Sequence, residues 1–225
     1  MTVEDIIKQV RWCIDEEAVD LSGISGADEN DDAYMDNIIK AKMDDALRWC
    51  LLYAPQELLT GSATGGNTSD YVVSNEYVSF ETADSGSPST VTLPEGFTRL
   101  VRVRLAKWAR AVRVPIEEDS DEYLALSDDT AKATNDRPVA ALIRTSPRMK
   151  LELWPGGNAQ GLEITIVNSP SSAISEDSSM QTVINIPEKL RTAFIYYIAF
   201  LVCAAYREGA ATTMLEIAKM NLGLK

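Results

Sequence analysis

The run TAFIYYIAFLVCAAY, Thr192 to Tyr206, carries no charged side chain and is apolar on nearly every helical face. It falls short of the ~20 residues that a membrane span needs, so it reads as a core helix. A helix apolar all round has to be covered on every side, by its own domain or by another subunit. Pro187 suits the first turn ahead of it, and a last helical piece from Gly209 to Leu222 either continues this helix or bends at Gly209. The question for the fold is what covers it.

The best candidates lie at the other end of the chain. Thr2 is a suitable N-cap, with Glu4 and Asp5 in the first turn where acid complements the helix dipole. Val3, Ile6, Ile7, Val10, Cys13 and Ile14 then form one apolar stripe at helical spacing. A loop, LSGISGADENDD, separates this helix from a second, expected over about 32–54. Met35, Ile38, Ile39, Met43, Ala46, Leu47, Cys50 and Ala54 share one face of it, and Pro55 sets its end. Trp12 and Trp49, beside Cys13 and Cys50, read as core, as do Phe194, Tyr196, Tyr197 and Phe200. Terminal helices that are each apolar on one face pack together, which makes everything between them an insertion.

The insertion starts at GSATGGNTS, Gly61 to Ser69. Gly61, Gly66 and Thr68 have the spacing of a phosphate-binding loop, but Asn67 holds the lysine position and the loop runs from helix to strand, the reverse of what such a site needs. It reads as a joint. Beyond it the period changes to alternation in YVVS, YVSFE, STVTL, FTRLVRVRL, WARAVRV, DEYLALS, PVAALIR, MKLELW and LEITIV. The expected fold class is α+β: a discontinuous helical bundle of residues 1–60 and 187–225, with an inserted antiparallel β sandwich or barrel-like module over 61–186 and its flanking linkers.

Composition narrows the function. The chain has 225 residues, 45% of them hydrophobic, which is enough for a sizeable core. The balance of 21 basic against 34 acidic residues, net −13, opposes binding to a nucleic-acid backbone as the main task. Most of that acidity lies in the first 60 residues, while the C-terminal helices are slightly basic. Histidine is absent, which removes Ser-His and Cys-His nucleophiles and the commonest metal ligand. Cys13, Cys50 and Cys203 stand far apart inside apolar helical patterns and read as buried thiols of a reducing compartment. The opening MTVEDIIKQV is acidic where an export signal is basic.

Three constellations carry possible chemistry. DENDD, Asp28 to Asp32, offers Asp28, Asn30 and Asp32 at the first, third and fifth positions of a calcium loop, but Ala33 and Ile39 stand where glycine and a bidentate glutamate belong. The run EEDSDEY, Glu117 to Tyr123, is rich in carboxylates, yet its place on a polar turn meets neither the burial nor the separation that carboxylate catalysis requires. The stretch FTRLVRVRLAKWARAVRV, Phe97 to Val114, sets Arg99, Arg102, Arg104, Lys107, Arg110 and Arg113 with no acid among them. Alternation puts Arg102 and Arg104 on one face and Val101, Val103 and Leu105 on the core side. Those arginines are either a solvent face paired with nearby acids or a contact surface. With Glu117, Glu118 and Asp119 following, Arg102, Arg104 and Arg110 give one protomer both halves of a head-to-tail charge contact. A third option has Trp108 and the basic stripe touching nucleic acid.

LRWCLLYAPQEL, LPEGFTRLVRVRLAKWARAV, the acidic segment with EY, RPVAALI, LELWP, EITIVNSP and IPEKLRTAFIYYIAFLVCAAYRE occur in this order over most of the chain. The layout resembles head-to-tail connector adaptors of tailed bacteriophages, especially the tail-tubular-A-like adaptors of short-tailed phages. The resemblance implies a structural virion protein of the neck, assembled in the host cytoplasm, of which about twelve copies ring the DNA channel beneath the portal. It implies contacts with further copies of itself, the portal and the next tail or ring protein, with genomic DNA passing through without sequence-specific binding. It also implies side-by-side packing of the helical part and a C-terminal segment reaching the portal, here through Met220, Leu222, Leu224 and Lys225. The reading is a non-enzymatic adaptor with no catalytic residue, cofactor or metal. The alternatives are an assembly or binding module that uses its β part to recognise a partner and, more remotely, a carboxylate-based hydrolase.

Overall fold

The computed structural model describes residues 1–17, 29–59, 71–82, 87–126, 128, 132–145, 147–157, 161–169, 179–206 and 208–224. GSATGGNTS lies outside the described residues. In chain order the elements begin α1 (Val3–Glu17), α2 (Glu29–Tyr53), α3 (Gln56–Leu59), β1 (Val72–Ser74), β2 (Ser79–Glu81), β3 (Ser89–Thr92) and β4 (Phe97–Arg104). They continue with β5 (Ile116–Glu117), α4 (Asp121–Ala125), β6 (Val139–Ile143), β7 (Lys150–Trp154) and β8 (Glu163–Asn168), and end with α5 (Arg191–Tyr206) and α6 (Glu208–Leu222). The fold is α+β, with helices at both ends and two sheets between. By contacts the chain divides into two compact units, Met1–Ser69 with Ser172–Lys225, and Asp70–Ser171.

In the helical unit, α1 starts as its sequence predicts. The Thr2 hydroxyl accepts from the Asp5 N–H at 3.1 Å, and the Asp5 carboxylate accepts from the Thr2 N–H at 3.1 Å, a reciprocal cap. The N–H groups of Val3 and Glu4, which have no partner inside the helix, donate to the carbonyls of Thr182 and Met180 at 3.0 Å. Ile184 N–H in turn donates to the Met1 carbonyl at 2.8 Å. The strand-like segment 179–186 is thus stitched to the start of α1, which closes a unit built from both ends of the chain.

Helix α5 is its centre. It packs against α1, α2 and α6 and buries Ala193, Phe194, Ile195, Ile198, Ala199, Val202 and Cys203. A 3-10 turn, Glu188–Leu190, intervenes between Pro187 and α5. The α1 stripe from Val3 to Ile14 is buried, as are Ile39, Met43, Ala46, Leu47 and Cys50 of α2. All three cysteines are buried, and burial pushes the Cys50 thiol up to about 12. Helix α6 packs back on α5 through Ala211, Met214, Ala218 and Leu222, so it does not continue that helix. A Cβ at Gly209 would meet open space, so no bend requires glycine there. Gly223, at φ +71°, ends α6 with Leu224 N–H donating to the Lys219 carbonyl at 3.0 Å and Gly223 N–H to that of Met220.

Trp12 departs from the expectation. It is 64% exposed, because one step back from Cys13 turns about 100° further from the stripe and carries the indole to the far side of α1. Trp49 is half-buried and stacks on Tyr197, with ring centroids 4.0 Å apart and planes 7° from parallel.

The β unit is a sandwich of a three-stranded sheet, ordered β1-β8-β4, and a five-stranded sheet, ordered β2-β3-β7-β6-β5. Val91, Leu142, Leu151 and Leu153 from the larger sheet and Leu100, Val103, Ile164 and Ile166 from the smaller share one core. Pairing is antiparallel except between β5 and β6, where Ile116 lies beside Ala141. The long connection from β5 to β6, which carries α4, permits the parallel arrangement. Gly96 is required by a close approach, since a Cβ there would sit 2.0 Å from the Ser169 carbonyl oxygen.

Two segments expected to be strands are not. WARAVRV pairs only at an isolated bridge from Val112 to Val103, and Trp108 is spent on the core, 1% exposed, its indole donating to the Pro155 carbonyl at 3.1 Å. DEYLALS instead starts with α4. Ser120 caps it, its hydroxyl accepting from Tyr123 N–H, and Asp121 and Glu122 fill the first turn. In β4, register shifts beside Arg99 and between Leu100 and Arg102 break the simple alternation. Leu100 therefore enters the core, while Val101 stays half-buried.

Candidate assembly surfaces

Core-facing Leu100, Val103, Ile164 and Ile166 leave Arg102 and Arg104 on the outer face of the three-stranded sheet. Both are exposed. Arg102 Nε donates to Thr165 Oγ1 at 3.4 Å and Arg104 Nε to the Trp108 carbonyl at 3.2 Å. These bonds hold the guanidinium stems against the sheet without neutralising them. Lys107, Arg110 and Arg113 follow, all exposed, and none of these five cations makes an ion pair among the described residues. Arg99 is half-buried, and burial lowers its pKa. These five cations form an exposed face without ion pairs to nearby acids among the described residues.

The acidic segment belongs to the other sheet. Glu117 on β5 pairs with Arg144 at 3.1 Å, and the Glu118 carboxylate accepts the Arg144 backbone N–H at 3.3 Å. Tyr123 of α4 donates its hydroxyl to Glu152 Oε2 at 3.0 Å, and Trp154 Nε1 donates to the same oxygen at 3.3 Å. Glu152 and Trp154 alternate with core-facing Leu151 and Leu153, so α4 is tied to the outer face of the five-stranded sheet. Partial burial, then the hydrogen bond to Glu152, pushes the Tyr123 hydroxyl above its usual range. Asp119, Asp121 and Glu122 are left exposed, with no ion pair among the described residues. Arg144 and Glu152 were not singled out in the sequence, and Tyr123 only as the end of EEDSDEY. The capping pattern of Ser120 ahead of two acids was the available signal for the helix that brings them together.

Of the calcium-loop motif, Asp28 lies outside the described residues, and the backbone is helical from Glu29. Trp108 has no face to offer a base. The recess beside it, lined by Leu105, Trp108, Pro155 and Gly157, has room of about 10 Å³, roughly one water. No helix among the described residues is long and apolar enough to cross a membrane.

The helical unit shows apolar side chains instead. Trp12, Tyr34, Leu52 and Tyr53 are exposed on α1 and α2. At the C-terminal end Met220 is 72% exposed and Leu224 half-buried, whereas Leu222, 1% exposed, is used by the unit's own core, and Lys225 lies outside the described residues.

No curated protein matches the chain. A family model does: that of the SU10 adaptor protein matches residues 1–224. Members are structural proteins. The chain therefore belongs to the SU10 adaptor protein family and is a structural adaptor of a bacteriophage particle.

Proposed function

We propose that this adaptor forms a closed ring, of about twelve copies, that joins the portal to the next tail component and surrounds the DNA channel. The observation that carries the reading is the family match over residues 1–224. The net charge of −13 supports it, because an acidic lumen repels the DNA backbone and lets it slide. Exposed Trp12, Leu52 and Tyr53 support side-by-side packing of helical units, since large aromatic and aliphatic groups left in water are the usual anchors of an interface. Met220 is the accessible member of the C-terminal set and supplies the portal contact. Assembly takes place in the host cytoplasm, and the product sits in the virion neck.

The test is the mass of the purified chain, alone and mixed with a portal protein. A complex of the portal with a multiple of this chain is expected. A chain that stays a strict monomer in both conditions overturns the reading.

A further inference from the structure

The geometry points to a specific contact: the cationic outer face of β4 docks the acidic β5–α4 segment of a second copy of this chain. This rests on the ring-forming reading and names which surfaces would meet. Two observations carry it. Arg102, Arg104, Lys107, Arg110 and Arg113 are exposed and unpaired among the described residues, and so are Asp119, Asp121 and Glu122. Arg102 and Arg104 also face away from the acidic set. Arg102 and Arg104 stand on the outer face of the three-stranded sheet, while α4 is pinned by Tyr123 to Glu152 on the outer face of the five-stranded sheet, with the sandwich core between.

Charges on opposite outer faces cannot satisfy each other within one copy. Each meets its complement when copies stack in one direction, and such a heterologous contact closes into a ring when the rotation permits. The acidic half is presented firmly, because Arg144 holds Glu117 and Glu118 and the Ser120 cap fixes the start of α4. Trp108 is buried and offers no face on which a base could stack.

The test is charge exchange in the full chain, read as light-scattering mass over a concentration series at low salt. Arg102→Glu with Arg104→Glu makes both faces acidic, and Asp119→Lys with Glu122→Lys makes both basic. Each double variant alone is expected to self-associate at least roughly tenfold more weakly than wild type. An equimolar mixture is expected to recover wild-type association, since alternating copies again oppose unlike charges, and recovery also shows that both variants fold. Arg102→Lys with Arg104→Lys keeps association. A mixture no better than its components, or a wild-type chain that does not associate, overturns the contact. Reversal variants that assemble like wild type while still binding a portal overturn the contact and leave the adaptor reading standing, whereas a wild-type chain that never joins a portal removes the adaptor reading itself.

Discussion

The two units handle charge in opposite ways. In the helical unit Lys8, Arg11, Arg48 and Lys219 each pair with a carboxylate of the same unit, three of them one turn away on their own helix. In the β unit Arg144 pairs with Glu117, while the cations from Arg102 to Arg113 make no ion pair among the described residues, although Glu163 lies across from Arg104. Exposed aromatic side chains lie on the helices, at Trp12, Tyr34 and Tyr53, while the β unit exposes the aliphatic Val78, Val114, Leu124 and Met149. Locally paired charges screen and solubilise, whereas unpaired charge of one sign and solvated aromatics are surfaces whose partners lie elsewhere. On the proposed ring, the aromatic surface of the helices would make an apolar contact and the charged surface of the β unit a salt-sensitive one.

The largest expected effect tests whether the helical unit rests on α5. Phe194→Ala deletes a fully buried ring at its centre and should cost about 3–5 kcal/mol, seen as a lower denaturant midpoint. A loss under about 1 kcal/mol would mean that α5 is not the shared core. Trp12→Ala comes next and separates assembly from stability. Because Trp12 is 64% exposed, the monomer's midpoint should barely move, while self-association weakens by about 2 kcal/mol if the indole anchors a neighbour. Unchanged assembly would leave the indole a plain surface residue. The apolar and charged contacts should also respond differently to salt: raising it should weaken the β-unit contact and leave the Trp12 contact nearly intact.

How legible this was depended on whether burial followed a local period. The α1 stripe and the Thr2 cap could be read because successive turns bury the same face, and a sandwich could be read because Leu151 and Leu153 alternate with outward Lys150, Glu152 and Trp154. Helix α4 could not, because DEYLALS alternates like a strand and is too short for a helical period to show. The bulges of β4 are set by its pairing with β8, so the inward turn of Leu100 is a tertiary fact. The candidate contact was half legible. The runs of charge are visible in the sequence, but their placement on opposite faces depends on Tyr123 reaching Glu152, a residue 29 positions away.

That bond gives a smaller test. Ser120→Ala removes the cap of α4 and should cost about 1 kcal/mol locally, freeing the Tyr123 ring, whose hydroxyl should titrate closer to its ordinary value once Glu152 is no longer its acceptor. A spectrophotometric titration that shows no change in Tyr123 would mean that other contacts, not the cap, hold α4 against the sheet.

The smallest effect lies at the start of α1. The Thr2 hydroxyl and then the Thr2 N–H, both hydrogen-bonded to Asp5, hold its carboxyl below the usual 3.8. A folded-state pKa depressed below the unfolded one means that the carboxylate's stabilisation is present above about pH 3.8 and is lost as pH falls through the lower folded value. Thr2→Ala removes the hydroxyl that contributes most to this depression, so the Asp5 carbon resonance should titrate higher than in wild type and part of the acid-sensitive stability should disappear. The N–H bond from residue 2 remains and keeps some depression. Since this carboxylate is fully exposed, a shift of the whole unit's acid midpoint would be out of proportion and would point to a wider role for the junction between α1 and segment 179–186.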